Sequence, residues 1–162
     1  MVRAAVYSVL FFFVAPGTTA GLVPWWISDW DRPGVAVGAL EVVGVLLVAA
    51  GLAAVVACFT RFVTEGAGTP APTAPTESLV VGGLYRYVRN PMYLAVASVI
   101  GGEALVLRSP GVAAWLLGFM ALVWTFAHFY EEPALTRQFG PAYEHYRAAV
   151  PGWWPSLRPY QY

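Results

Sequence analysis

Four apolar blocks set the limits on what this chain can fold into. They run at about residues 4–26, 35–62, 92–107 and 111–129. A helix needs about 20 apolar residues to cross a ~30 Å hydrocarbon core, and three of the blocks meet that length. The third holds 16 residues, about 24 Å of helix at 1.5 Å per residue, so it crosses only where the bilayer thins or where its ends lie in protein. Hydrophobic residues make up 59% of the chain and charged residues only 11%, a balance outside that of soluble domains. The expected fold is all-α, an integral membrane helical bundle of about four transmembrane helices. A cytoplasmic loop at 63–90 and a cytoplasmic C-terminal helical segment at 130–162 complete a single domain over 1–162.

The first block has a competing reading. Arg3, the apolar run to Ala15 and the small residues Thr18-Thr19-Ala20 resemble a secretory signal and its cleavage site. Further apolar spans follow, however, and Trp25, Trp26 and Trp30 form an interfacial belt just beyond, so a retained helix is expected. With four spans, Arg3, Arg61, Arg86, Arg89, Arg137, Arg147 and Arg158 fall on one side and only Arg32 and Arg108 on the other. The excess of arginine puts the termini in the cytoplasm. The linker from Thr64 to Gly83, with Pro70, Pro72 and Pro75, is either a solvated connection or a lid over a ligand.

Nine basic and nine acidic residues cancel, so no basic surface for nucleic acid is expected. Membrane lipid and a small lipophilic or lipid-like substrate are the expected partners. The single Cys58 excludes an internal disulfide and a cysteine-based metal cluster, and no metal site is expected. The intramembrane acids Glu41 and Glu103 are placed by this topology near the outer membrane face, where pairing with each other, Arg32 or Arg108 is expected rather than catalysis.

Polar residues gather in two motifs, Tyr85-Arg86-Tyr87-Val88-Arg89-Asn90-Pro91-Met92-Tyr93 and Glu131-Glu132-Pro133. If 91–130 forms a helical hairpin, both emerge on the same side. Asn90 and Pro91 suit the N-cap and first position of the third span. A helix start also presents free N–H groups and the positive end of a dipole, which together with Arg89 suits an anion. Acidic residues in a first helical turn are favoured by the dipole, but one of Glu131 and Glu132 is enough for that. Facing Arg89, these carboxylates can hold an ammonium or hydroxyls while the arginine holds a carboxylate, a complement to a zwitterionic amino acid group. A short helix after Pro133, a break at Phe139-Gly140-Pro141 and a second short helix bearing Tyr143, Tyr146 and Arg147 are expected to follow.

The run Gly83–Tyr93, with Glu131-Glu132, Leu135, Phe139-Gly140, Tyr143, Tyr146 and Val150-Pro151, resembles the membrane-embedded isoprenylcysteine carboxyl methyltransferase and phospholipid methyltransferase superfamily. Gly68-Thr69-Pro70-Ala71-Pro72 is similar to bacterial members in particular, which implies a bacterial inner membrane. The resemblance implies S-adenosylmethionine bound between the cytoplasmic ends of the last spans and the C-terminal segment. Tyr85, Arg89, Asn90, Pro91 and Tyr93 would form one wall and Glu131 with Glu132 another, with Arg89 and Glu132 as the catalytic pair. Prenylcysteine enzymes of this superfamily carry Arg-His-Pro where this chain has Arg89-Asn90-Pro91. Asn90 hydrogen-bonds but does not titrate.

Methyl transfer from a sulfonium has a neutral leaving group, so alignment is the main requirement. A carboxylate acceptor gains from a site poor in water. An amine needs deprotonation, for which His128 and His145 are candidates, and a thiol is the third possible acceptor. A non-catalytic accessory protein and a small transporter are the alternatives. A transporter places polar residues at mid-membrane positions, whereas here they collect at one face.

Overall fold

The computed structural model describes residues 14–31, 34, 38–66 and 78–161. Arg3, Arg32, the start of the first apolar block and the prolines of the linker lie outside the described residues. The architecture is an all-α membrane bundle, with no strand among the described residues. Helix α1 covers 14–28 and includes a π-helical stretch, Thr18–Leu22. It is followed by α2 (Ala39–Thr64), a 3-10 turn (Gly83–Arg86), α3 (Pro91–Leu107), α4 (Pro110–Phe126), a π-helical turn (Ala127–Glu131), α5 (Glu132–Phe139) and α6 (Pro141–Ala149). Two stretches are long and apolar enough to span a membrane, Ala39–Thr64 and the continuous run Pro110–Phe139, while Pro91–Leu107 is a shorter apolar helix.

Proline marks the starts. Pro91, Pro110 and Pro141 each occupy the first turn of a helix, where the missing N–H has no intrahelical partner to lose and φ is already helical. Arg108, in the left-handed region at φ 49°, ends α3. Ser109 then caps α4 by accepting from the Val112 N–H at 3.3 Å, so two residues, Arg108 and Ser109, turn the chain back on itself. Gly140 separates α5 from α6 at φ 53°, a conformation that disfavours residues bearing a Cβ.

Helices α2 and α3 meet backbone to backbone. A Cβ on Gly44 would lie 2.7 Å from the Gly102 carbonyl oxygen, and one on Gly51 2.7 Å from that of Ala95. Small residues at such a seam let dispersion replace the hydrophobic force that is missing between helices in lipid. Ser98 adds a bond across the seam to the Leu47 carbonyl at 3.0 Å. Val55, Phe59, Val96, Ile100, Val112, Phe119 and Val123 fill the core between α2, α3 and α4.

The two π-helical turns share one cause. In α1 the Val23 N–H bonds to the Thr18 carbonyl, so the next acceptor, Thr19, faces Pro24, which has no N–H. The Trp115 indole donates to that carbonyl instead, at 2.8 Å, and ties α1 to α4. After α4 the Glu132 N–H bonds to the Ala127 carbonyl, and Pro133 stands where a donor to His128 would be. The expected fresh helix start at Glu131-Glu132-Pro133 is thus a π turn within one continuous helix. The outcome for the following segment matches expectation, with a short helix, a glycine break and a second short helix.

At the end of the bundle where α3 ends, Arg108 pairs with Glu41 at 2.5 Å, and Glu41 also accepts from the Gly38 N–H at 2.8 Å. The structural pairing expected of Glu41 is present. Glu103 departs from that expectation, because its Oε2 is buried with no hydrogen-bond partner among the described residues. Arg108, one turn away, is already engaged by Glu41.

Candidate active site

The site lies at the opposite end of α3, where the first motif, the π turn and the C-terminal segment converge. Residues after α6 run back along the first motif and bond to its backbone. The Arg89 N–H donates to the Pro151 carbonyl at 2.9 Å, Asn90 to Gly152 at 3.2 Å, Ser156 to Tyr87 at 2.8 Å and Tyr160 to Arg86 at 2.9 Å. The Tyr146 hydroxyl adds a buried bond to the Tyr85 carbonyl at 2.7 Å. These contacts fix a loop that has no regular structure of its own.

Arg89 sits at the centre of this convergence. Its Nη1 donates to Glu132 Oε1 at 2.7 Å and to the Tyr143 hydroxyl at 3.1 Å, and its Nε donates to the Val150 carbonyl at 3.0 Å. Both side chains of the ion pair are largely buried, at 14% and 12% exposure. Glu132 is shared, since Arg147 approaches its Oε2 at 3.2 Å and His128 Nδ1 stands 4.0 Å from the same atom. The sequence reading placed Arg89 and Glu132 on opposite sides of a ligand. The structure joins them directly.

The π turn sends the two neighbouring carboxylates to different walls. While Glu132 meets Arg89, the Glu131 carboxylate accepts from the Tyr93 hydroxyl. Tyr93 stacks on Trp153, with ring centroids 6.2 Å apart and planes 20° from parallel. A carboxylate beside aromatic faces suits a cation. Gly152 lets the backbone approach the arginine closely, because a Cβ there would come within 3.1 Å of Arg89 Nη2.

Asn90 stands at the N-cap of α3 as expected, but its side chain does not cap. The Gly152 carbonyl lies within reach of its amide and takes the bond at 3.0 Å instead, which is the physical reason for the difference. Pro91 holds the first helical position. Tyr85 is buried against Cys58 and Val80, and burial pushes its hydroxyl well above the ordinary range. Tyr85 therefore supports the loop from beneath and does not open onto the ion pair. Burial also raises the pKa values of Tyr143 and Tyr146, opposed in both by the nearby Arg89 charge. Both hydroxyls remain neutral, Tyr143 accepting from Arg89 and Tyr146 donating to the Tyr85 carbonyl.

Tyr143, Arg147, Val150, Gly152 and Trp153 join the site although none was singled out from sequence as a ligand-binding residue. Tyr143 and Arg147 lie one turn apart on α6, a spacing that puts them on one helix face. The carbonyl of Val150 and the close backbone approach at Gly152 leave no such signal. His128 stacks on Trp124, with centroids 5.4 Å apart, and His145 is exposed on α6.

No solved structure matches the chain. The chain is similar to the phosphatidylethanolamine N-methyltransferase of Yarrowia lipolytica, 35% identical over 74 residues, which cover 43% of this chain and 7% of that protein. The chain therefore spans a small part of the length of that curated relative. The phospholipid methyltransferase family matches over residues 39–142, a stretch that takes in α2, the first motif, α3, α4, the π turn and both glutamates. By that match the chain belongs to the phospholipid methyltransferase family.

Proposed function

We propose that the protein transfers a methyl group from S-adenosylmethionine to a lipid-borne acceptor, and that the acceptor is the primary amine of an aminophospholipid. The observation that carries this reading is the convergence of Arg89, Glu131 and Glu132 at one end of the α3–α4 hairpin, in a chain of this family. The residues fit the cofactor chemically. The Arg89 guanidinium and the first N–H groups of α3 suit a carboxylate. Glu132 suits an ammonium, and Tyr93 with Trp153 suits a sulfonium. When bound, the cofactor supplies an activated methyl group.

The remaining work belongs to the chain. An aminophospholipid arrives as an ammonium and must lose a proton before it can act as a nucleophile. Glu131, fixed by the Tyr93 hydroxyl, is the carboxylate assigned to accept it. Arg89 and Arg147 hold Glu132 in place through ion pairs, so the two acids divide the roles. We read this end of the bundle as cytoplasmic from the excess of arginine on its side, and the chain as one domain over 1–162 with four spans in a bacterial inner membrane. Tyr85, Asn90 and Pro91 shape the wall beneath the cofactor.

The test uses purified protein in vesicles containing phosphatidylethanolamine, with S-adenosylmethionine labelled in the methyl group. Label should enter the lipid fraction and resist mild alkali, because a methylamine is stable where a methyl ester releases methanol. Alkali-labile label would replace the amine by a carboxylate acceptor. Absence of label in every lipid and amphiphile offered would remove the enzymatic reading.

A further inference from the structure

At the far end of α3 lies a cavity of about 350 Å³ lined by Trp30, Val45, Val48, Glu103, Val106 and Leu107. Its size falls within the range of small-molecule sites. Apart from Glu103 the lining is apolar, and the buried Oε2 of Glu103 has no hydrogen-bond partner among the described residues. The cavity is separate from the methyl-transfer site, since Glu103 is about 18 Å along the helix from Pro91 at 1.5 Å per residue.

An orphaned carboxyl oxygen among valines is expensive whichever form it takes. Among the described residues its Oε2 has neither a cation to pair with nor a hydrogen-bond partner, a costly state for a buried carboxyl oxygen. The neighbouring basic group does not relieve it, because Arg108 bonds to Glu41 through both Nε and Nη2. An acyl chain in the cavity would cover the valines and leave the oxygen unsatisfied. A ligand with an apolar body and an N–H or O–H donor satisfies both. The Gly44–Gly102 contact holds α2 against α3 beside Glu103.

We propose that this cavity is a second binding site, for an amphiphile that carries an ammonium or hydroxyl donor on an apolar chain, with Glu103 as its polar anchor. The donor can belong to a single-chain amine or to the headgroup of an aminophospholipid. Because a carboxylate anchor repels negative charge, anionic amphiphiles bind more weakly.

The experiment is native mass spectrometry of the full chain released from neutral detergent, titrated with dodecylamine, lysophosphatidylethanolamine or dodecanoate. One equivalent of dodecylamine or of the lysolipid should bind, the stronger of the two identifying the source, and dodecanoate should bind at least about tenfold more weakly. Glu103→Leu should weaken the preferred ligand about tenfold or more, and Val45→Trp, which fills the cavity from its exposed side, should do the same. Glu103→Leu should also unfold at a higher temperature than the parent without ligand, because the orphaned carboxyl is gone. Arg89→Ala should leave this binding unchanged, so failure here and failure of the methyl-transfer reading are distinguishable. Equal dodecylamine binding by the parent and Glu103→Leu, or dodecanoate binding as tight as dodecylamine, would overturn the proposal.

Discussion

Arg89 Nη1 donates to Glu132 Oε1 at 2.7 Å, across 43 positions of sequence, and so closes the α3–α4 hairpin where it meets the C-terminal segment. The same guanidinium holds the Val150 carbonyl through Nε. One side chain therefore fixes three parts of the chain relative to one another, and it uses the planar fork of arginine to do so.

Arg89→Lys keeps the charge and loses the fork. A single ammonium cannot reach Glu132, Tyr143 and Val150 in the same geometry, so the substitution should lower stability by about 1–3 kcal/mol. Thermal unfolding in detergent measures it. A variant as stable as the parent would mean that the three bonds act independently of the fork.

Pro133→Ala restores an N–H opposite the His128 carbonyl and removes the reason for the π turn. The helix can then relax to a regular α register, which rotates Glu131 and Glu132 by about 100° relative to α4. Methyl transfer should fall by about a hundredfold or more while thermal stability holds or rises. Unchanged transfer in the folded variant would separate the π turn from the site.

Gly44→Leu forces a side chain against the Gly102 carbonyl. Overpacking of this kind should destabilise the α2–α3 seam by about 1–3 kcal/mol or more, read as a lower unfolding temperature. The exposed neighbour Leu46 offers a control, since Leu46→Ala should change little.

The Tyr146 hydroxyl donates to the Tyr85 carbonyl, and burial raises its pKa above the ordinary value of 10.0. A group whose pKa is raised on folding contributes stability that is fully present below its unfolded pKa and lost as pH rises through the folded value. Stability should therefore hold up to about pH 10 and decline above it. Tyr146→Phe should cost about 1–2 kcal/mol below that pH and flatten the alkaline decline. Unfolding curves across alkaline pH provide the comparison.

Topology is open to labelling. In a Cys58→Ala background, Gln138→Cys should react from the cytoplasmic side and Ser28→Cys from the opposite side. Reaction of both from one side would contradict the four-span arrangement.

The hairpin was legible because its signals are local. Met92–Leu107 is apolar, Pro91 and Pro110 suit helix starts, and Arg108-Ser109 leaves no room for a longer connection. The observed Pro91–Leu107 and Pro110–Phe126 follow. The break at Gly140 is legible for the same reason, since a glycine before a proline gives both a permissive φ and a fresh start. What was not legible depends on partners distant in sequence. Asn90 reads as a cap until the Gly152 carbonyl, 62 positions on, takes its amide. Arg89 and Glu132 read as two ligand-binding groups until the fold joins them. Glu103 reads as half of a structural pair, and only the fold shows Arg108 engaged by Glu41 and Glu103 Oε2 without a partner among the described residues. The π turn lies between these cases: Pro133 announces a break, but the sequence does not say whether the chain answers with a new helix or an extra residue per turn.

The most direct test of the site is a calorimetric titration of the detergent-solubilised protein with S-adenosylhomocysteine, the demethylated form of the cofactor. The parent should show saturable binding of one equivalent. Glu132→Gln, compared at equal thermal stability, should weaken it by about 2 kcal/mol or more through loss of a charged partner. Glu103→Gln, at the far end of α3, should leave it unchanged. No binding by folded parent protein, or loss of binding in Glu103→Gln with Glu132→Gln unaffected, would contradict a cofactor site at the Arg89–Glu132 junction.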